Sequence, residues 1–389
     1  MLGGRQVRVL PEITQRNLGH QSPDIRPLGK LRQSLGPAGG QLSPKETRMD
    51  TFIIGADIAK ATFEVAVRGW DGEQAWGSFA NSPAGFEQLA QRLADAQPAS
   101  EPAPVRLVLE PTGGFELALA GFGYEAGWQV SRPNPKRVRD WAKSCGRRAK
   151  TDRVDARDLA RYGASQSPAA YRPLPPELSQ LDSLLGRQVE LQQMLRAERN
   201  RQGALANKPG IAPVVRENLA DSLARLDASL AQIEQAVKAH LKAHPKLQAK
   251  LKQLRSVPGI GAKNGVVILL LLARWEHLTE GRGSAKGLVA FTGLDPQTYE
   301  SGTSVHKRAS ISRMGRAHTR RMLYMGALGG VRGKNPLRDF YQGLVGRGKA
   351  KKLALTASAR KIVVWAWAVY QHDTLFDPNR ARSKALIAA

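Results

Sequence analysis

The sequence predicts a mixed α/β layer sandwich at the N-terminal end, then a helical coiled-coil arm, then a mainly α C-terminal domain. Three observations carry that expectation. Between Thr51 and Ser131, short apolar runs of strand length alternate with longer helical patterns and turn residues. From Leu219 to Val237, apolar residues recur at alternating spacings of four and three, a heptad seam. Beyond Ser256 the pattern is helical, punctuated by Gly and Pro.

Bulk properties narrow the function. The 389 residues, 42% of them apolar, suffice for two or three domains with their own cores. A net charge of +26 exceeds what folding or solubility requires and points to a polyanion, with nucleic acid the better candidate. Membrane binding fits less well, because the one long apolar run, Val266 to Ala273, is too short to span a bilayer. The single cysteine, Cys145, excludes an internal disulfide and a multi-cysteine zinc site, and fits a reducing cytosol. Charge gathers in two places: 12 Lys+Arg against 4 Asp+Glu from Arg132 to Arg172, and 18 against 3 from Thr303 onward. Two separate basic surfaces are implied.

Residues 1–48 are rich in Gly, Pro, Ser, Gln and Arg without a sustained period, so they read as a disordered extension, with translation starting at Met49. Thr51 to Lys60 reads as a buried strand, Ala61 to Gly69 as a second and Gln74 to Ala80 as a third, forming an antiparallel meander. Ser82-Pro83 starts a helix that runs to about Ala94. After a Pro-rich linker at 98–104, Val105 to Glu110 is a short buried strand, and Gly113-Gly114 turns the chain into a helix near Phe115 to Ala126. Trp128 to Ser131 is a further strand, with helices over Asn134 to Ser144 and Asp152 to Ala164.

Acids stand out in this apolar and basic setting. Asp57 is flanked by Phe52, Ile53, Ile54 and Ile58, where an unpartnered carboxylate is expensive to bury. It could also simply cap the next turn. Glu110 repeats the arrangement at the end of its own strand. Asp152 and Asp155, three apart, share a helix face inside a basic stretch, although two solvated carboxylates in a first turn, capped by Thr151, would look the same. Together the four make a set of hard oxygen ligands suited to Mg²⁺ or Mn²⁺. Two ions about 4 Å apart would stabilise both the entering and the leaving oxygen of a phosphodiester exchange.

GADIAK with Asp57, LEPTGGFE with Glu110, and RPNPKRVRDWAKSCGRRAKTDRVDARDLA with Asp152 and Asp155 resemble the DEDD transposases of the insertion-sequence one-ten family, in register from Asp57 to Arg161. The resemblance implies a RuvC-like N-terminal domain within the RNase H fold and metal catalysis by those four acids. Asp158, one turn further on, falls outside the pattern and reads as a surface residue.

The helical part begins near Leu178. One helix covers about Pro176 to Gln202, Gly203 to Pro213 breaks it, and the heptad seam continues through His240 and His244 to Leu247, Leu251 and Leu254. The pair reads as a coiled coil that either closes an intrachain face or forms a dimer. The two histidines lack a third ligand and read as edge residues. Ser256 to Gly261, followed by an apolar helix from Asn264 to Ala273, looks like a helix-hairpin-helix turn whose backbone N–H groups could face a phosphate. Leu288 to Leu323 echoes the family's C-terminal block, and there the resemblance assigns a catalytic serine to Ser301; without it, Ser304, Ser310 and Ser312 would be equal candidates. Candidate nucleic-acid contacts are Arg137, Arg148, Lys150 and Arg153 in the first basic region, and Lys307, Arg308, Arg313, Arg316, Arg320 and Arg321 in the second. Trp365, Trp367 and Tyr370 read as core, and the basic run Arg347-Gly-Lys-Ala-Lys-Lys352 ahead of them as a further nucleic-acid contact.

The expected organisation is therefore a disordered 1–48, a DEDD domain at 49–172, a coiled-coil arm at 173–254, a C-terminal transposase domain at 255–375, and a frayed tail at 376–389. The resemblance further implies cutting and rejoining of donor and target DNA, a structured bridge RNA encoded by the element, assembly into homodimers and homotetramers, and work on the nucleoid in a bacterial cytoplasm. A structure-selective RuvC-like endonuclease using water is the alternative reading, and a non-enzymatic scaffold with structural acids a third.

Overall fold

Strand β1 (Phe52–Ile58) is buried along nearly its whole length because it lies in the middle of a five-stranded sheet covered on both faces. The computed structural model describes residues 51–97, 103–146, 152–301 and 305–382, without the side chains of 152–154, 298–309 and 382. All of them belong to a unit that begins at Met49; the extension expected at 1–48 lies outside the described residues. The sheet order is β3-β2-β1-β4-β5. β1, β2 (Thr62–Gly69) and β3 (Gly72–Ala80) form the expected antiparallel meander, while β4 (Val105–Leu109) and β5 (Gln129–Ser131) run parallel to β1.

Strand alternation divides β1 between two cores. Phe52, Ile54, Ala56 and Ile58 face helices α1 (Pro83–Asp95) and α2 (Leu117–Glu125), packing with Phe86, Leu89 and Leu119. Ile53 faces the other way, with Val108 of β4, toward Val138 of α3 (Pro135–Ser144) and Leu159 and Tyr162 of α4 (Asp152–Gln166). Helix α1 begins where Ser82 and Pro83 say it should: Ser82 Oγ accepts from the Gly85 N–H at 3.4 Å.

The remainder is mostly helical. Helices α5 (Pro176–Ala206) and α6 (Pro213–Ala243) are each 31 residues long and pack on one another, and every seam position from Leu219 to His244 is buried or half-buried. Polar links cross between them, Arg199 to Asp227 at 2.9 Å and Gln188 to Glu234 at 3.2 Å. Helix α5 continues through Gly203, past its expected end, because one glycine costs only about 1 kcal/mol and Ala204, Leu205 and Ala206 favour the helix. Pro245 ends the seam helix and starts α7 (Pro245–Leu254). His240 and His244 bond to the Glu177 and His240 carbonyls at 2.9 and 2.7 Å.

Helix α8 (Ala262–Thr279) forms the core of the C-terminal region with α10 (Ala317–Gly330) and α12 (Lys351–His372), through Ile268, Leu269, Leu323, Ile362 and Ala366; Trp365, Trp367 and Tyr370 are buried there as expected. Leu178, Leu181 and Leu185 of α5 join the same core, which anchors the start of the α5–α6 pair. The turn before α8 departs from the phosphate-facing expectation at one residue: Gly259, at φ +92°, backs onto Gly326 of α10, and a Cβ there would lie 2.9 Å from the Gly326 carbonyl. Its glycine serves packing. After α9 (Ala285–Thr292) comes a hairpin of β6 (Pro296–Ser301) and β7 (Val305–Ile311), strands inside a region whose sequence pattern reads as mainly helical. The chain ends in α11 (Pro336–Gly346), α12 and α13 (Pro378–Arg382). The start of the tail expected at 376–389 is packed: Phe376 lies on Trp365 with ring centroids 5.0 Å apart and donates its N–H to Ser256 Oγ at 2.8 Å, while residues 383–389 lie outside the described residues.

Candidate active site

Parallel pairing of β1 and β4 sets Gly55 beside Val108 and Ala56 beside Leu109. The next residue along each chain is Asp57 in β1 and Glu110, the first residue after β4, so the register leads both to the same end of the sheet. Both residues are half-buried. Alternation places them on the face of Ile53, Gly55 and Val108, the face covered by α4.

Helix α4 runs antiparallel to β1. A Cβ on Gly163 would meet Ile53 and Val108, whereas one on Gly55, further along β1, would overlap the Ala156 carbonyl and the Ala160 nitrogen. The next turn toward the start of α4, which carries Asp152 and the half-buried Asp155, therefore lies over the Asp57 end of the strand. Asp57, Glu110 and Asp155 are thus brought to one edge of one face; the Asp152 side chain lies outside those described. Among the described residues, no three His, Cys, Asp or Glu side chains form a ready metal cluster. The donor chemistry itself, carboxylates alone, fits a hard divalent ion.

Two further acids lie on this side of the sheet, Glu64, which nothing in the sequence marked, and Asp158, which the sequence placed at the surface. Glu64 of β2 sits directly opposite Asp57 in the antiparallel register, a neighbour visible only once the hairpin pairing is known. Asp158 is buried, not at the surface, because its helix face turns onto the sheet; burial first, then Asp155 and Glu73, push its carboxyl up to about 6. Next to it, Arg161 reaches across to Glu73 of β3 with two bonds, of 2.5 and 2.7 Å.

Glu116 closes the loop that follows Glu110. Its buried carboxylate accepts from the N–H groups of Thr112 at 3.1 Å and Gly114 at 2.9 Å, and pairs with Arg132. Burial raises its pKa, but the backbone donors and Arg132 outweigh that and hold it below the usual carboxylate range. Asn81 braces the same loop, donating to the Phe115 and Ala59 carbonyls, each at 3.1 Å. The LEPTGGFE stretch contains this clamp, and Gly113 and Gly114, both at positive φ, were the local sign of a tight loop.

Ser301 ends β6, paired with Val305 across the hairpin; its side chain is outside those described. The base of the hairpin is pinned. Ser312 bonds Asp295 through backbone and side chain, the Arg313 N–H donates to the Gly293 carbonyl at 3.1 Å, and Arg320 donates to the Thr292 and Gly315 carbonyls. Arg313 is exposed and holds φ +57°, a left-handed position unusual for a side chain of its size. Arg316 pairs with Asp182 of α5, and Arg321 with His318 at 3.0 Å. Arg137 is exposed on α3, Arg148 and Lys150 lie outside the described residues, and the side chains of Arg153, Lys307 and Arg308 are not among those described.

Comparison with known proteins agrees with this layout. A family model described as "Transposase" matches residues 54–207, and one described as "Transposase IS116/IS110/IS902 family" matches 251–342. The chain is 30% identical to the "Pilin gene-inverting protein" of Moraxella lacunata over 332 residues, covering 85% of this chain and 98% of the relative. The corresponding Moraxella bovis protein is also 30% identical, over 333 residues, 85% of this chain and 98% of that protein. A "Probable family 20 transposase" of Pseudomonas aeruginosa is 28% identical over 165 residues, 41% of this chain and 46% of its own. A mixed α/β domain with acids at one sheet edge, joined to a basic helical region, is here that of a DNA transposase or recombinase. The chain belongs to the IS116/IS110/IS902 transposase family. Its substrate is accordingly DNA. Among the described residues, no helix is long and apolar enough to cross a membrane.

Proposed function

We propose that the N-terminal domain is an RNase H-like, RuvC-like catalytic domain that uses Asp57, Glu110, Asp152 and Asp155 to hold Mg²⁺ or Mn²⁺ at a scissile phosphate. The reading is carried by one observation: parallel register and an antiparallel α4 direct Asp57, Glu110 and the carboxylate turn of α4 to the same edge. The 3-2-1-4-5 sheet order supports the fold assignment. Bound metal would supply charge neutralisation at the phosphate. Glu116 and Asn81 fix the loop of Glu110, and Gly55 lets α4 approach closely enough to bring its carboxylates over Asp57.

Ser301 is the proposed nucleophile: its oxygen bonds to the scissile phosphorus as the bond from phosphorus to one deoxyribose oxygen breaks. That oxygen leaves as a hydroxyl, and the proton lost by the serine balances the one gained. Lys307, Arg308, Arg313, Arg320 and Arg321 supply positive charge around the phosphate, and Arg137, Arg148, Lys150 and Arg153 contact the duplex nearer the acids. The heptad seam of α6 packed on α5 supports a coiled-coil arm, and a bridge RNA encoded by the element and a homodimeric or homotetrameric assembly complete the reading on family grounds. The names of the Moraxella relatives, which invert a pilin gene, support recombination over simple hydrolysis.

The test is excision and insertion of the parent element in cells, with trapping of covalent protein–DNA adducts in vitro. Asp57→Asn and Asp152→Asn are expected to abolish recombination while DNA binding persists, and Ser301→Ala to remove the adduct. Unchanged recombination in the aspartate variants would refute the metal site. Nicking that persists without any Ser301-dependent adduct would favour a water-using endonuclease.

A further inference from the structure

Asp182 lies in the second turn of α5, where the arm leaves the helical core, and it holds arginines from two other elements. Arg274 of α8 donates to Oδ2 at 2.7 Å. Arg316, the residue before α10, donates to Oδ1 at 2.5 Å and Oδ2 at 3.1 Å. Such a two-pronged guanidinium–carboxylate pair fixes orientation as well as distance.

Arg316 closes the segment Ile311 to Arg316 through which β7 rejoins the helices. The other ties on that segment, from Gly293, Asp295 and Arg320, come from nearby in the chain. The Asp182 tie spans 134 residues and comes from the arm. Arg274 and Arg316 repel each other, so neither would sit there without the carboxylate between them.

We propose that Asp182 is a positioning residue: through Arg316 it sets the orientation of the β6–β7 hairpin, and hence of Ser301, relative to the arm, with Arg274 holding Asp182 in place. This rests on Ser301 being the nucleophile. Arg316 then acts on the reaction by placement and not by contact with a phosphate, and a shift of the arm root is transmitted to the nucleophile.

The experiment uses the full chain and a duplex carrying the element's end, with the RNA transcribed from the element's flank present. Adduct formation at saturating DNA is timed for the parent, Asp182→Asn, Asp182→Glu, Arg316→Gln and Ser301→Ala. Misplacing a nucleophile by an ångström costs on the order of a hundredfold in rate. We expect Asp182→Asn and Arg316→Gln to slow the adduct by at least about tenfold with DNA affinity unchanged, and Asp182→Glu to recover most of the rate. The slope of log affinity against log salt for Arg316→Gln should equal the parent's, whereas loss of a phosphate contact would lower it by about one. Parental adduct rates, or a lowered slope, would overturn the proposal. If Asp182→Asn fails to fold, Arg316→Gln decides, since that guanidinium is 59% exposed and its removal leaves the core intact. An adduct that survives Ser301→Ala sinks the serine reading itself, a result distinct from a Ser301-dependent adduct indifferent to Asp182.

Discussion

Glu116 and Asp158 are buried carboxylates with opposite electrostatic situations, and their pH signatures have opposite signs. Glu116 has a folded pKa held below 4.5 by backbone donors and Arg132, so its stabilisation is fully present above the unfolded value and is lost as pH falls through the lowered one. Glu116→Gln should therefore cost about 2 kcal/mol at pH 7, the worth of hydrogen bonds to a charged group, with the gap to the parent narrowing below about pH 4.5 in urea denaturation. A constant gap across that range would mean that the charge is irrelevant. Asp158 is raised to about 6, so the folded state binds its proton more tightly than the unfolded one, and stability falls as pH climbs from about 4 to 6. Asp158→Asn, measured in chelator so that metal does not intervene, should remove that fall and gain about 1 kcal/mol at pH 7.5. A variant less stable than the parent at both pH values would show that the carboxylate's contact with Arg161, 4.0 Å away, outweighs its burial.

At the scale of elements, the contact that builds the site is α4 on β1, and it depends on the absence of a side chain at Gly55. Because the obstacle is backbone, Gly55→Ala has nothing flexible to displace; it should cost about 1–3 kcal/mol by overpacking and lift the α4 carboxylates off Asp57. Metal-dependent cleavage should then fall much further than DNA binding, and equal losses in the two would contradict this placement. Much of the sheet was legible in the sequence, because Ser82-Pro83, the Gly113-Gly114 pair and the apolar runs mark strand ends and helix starts with local chemistry. Asp57 and Glu110 stood out for the same reason, as charges closing apolar strands. The β6–β7 hairpin did not: Gln297, Thr298, Tyr299 and Glu300 carry no apolar alternation, and their pairing comes from the pinned base at Asp295 and Ser312. Glu64, Glu116 and Asp182 were equally silent, since register, a loop clamp and a contact across 134 residues define their partners.

Over the whole molecule, the excess of basic charge is distributed against the intrinsic preferences of the fold. Lys351 and Lys352 are exposed at the start of α12, a 22-residue helix with no acid in its first turn, where the helix dipole disfavours cations. Lys349 stands just ahead of them, also exposed. Nothing in the packing calls for these side chains, as the core of α12 begins at Ala354. A phosphate at that helix start would reverse the sign of the dipole term and use the lysines as well. Neutralising both, Lys351→Gln with Lys352→Gln, should therefore raise the stability of the free protein by about 0.3–1 kcal/mol while weakening DNA binding. The slope of log affinity against log salt should fall by up to about two, with the same loss for unrelated sequences, because backbone contacts carry no sequence information. Gain in melting temperature together with an unchanged salt slope would place the nucleic acid elsewhere on the surface, and leave the α12 lysines as an unrelieved electrostatic cost.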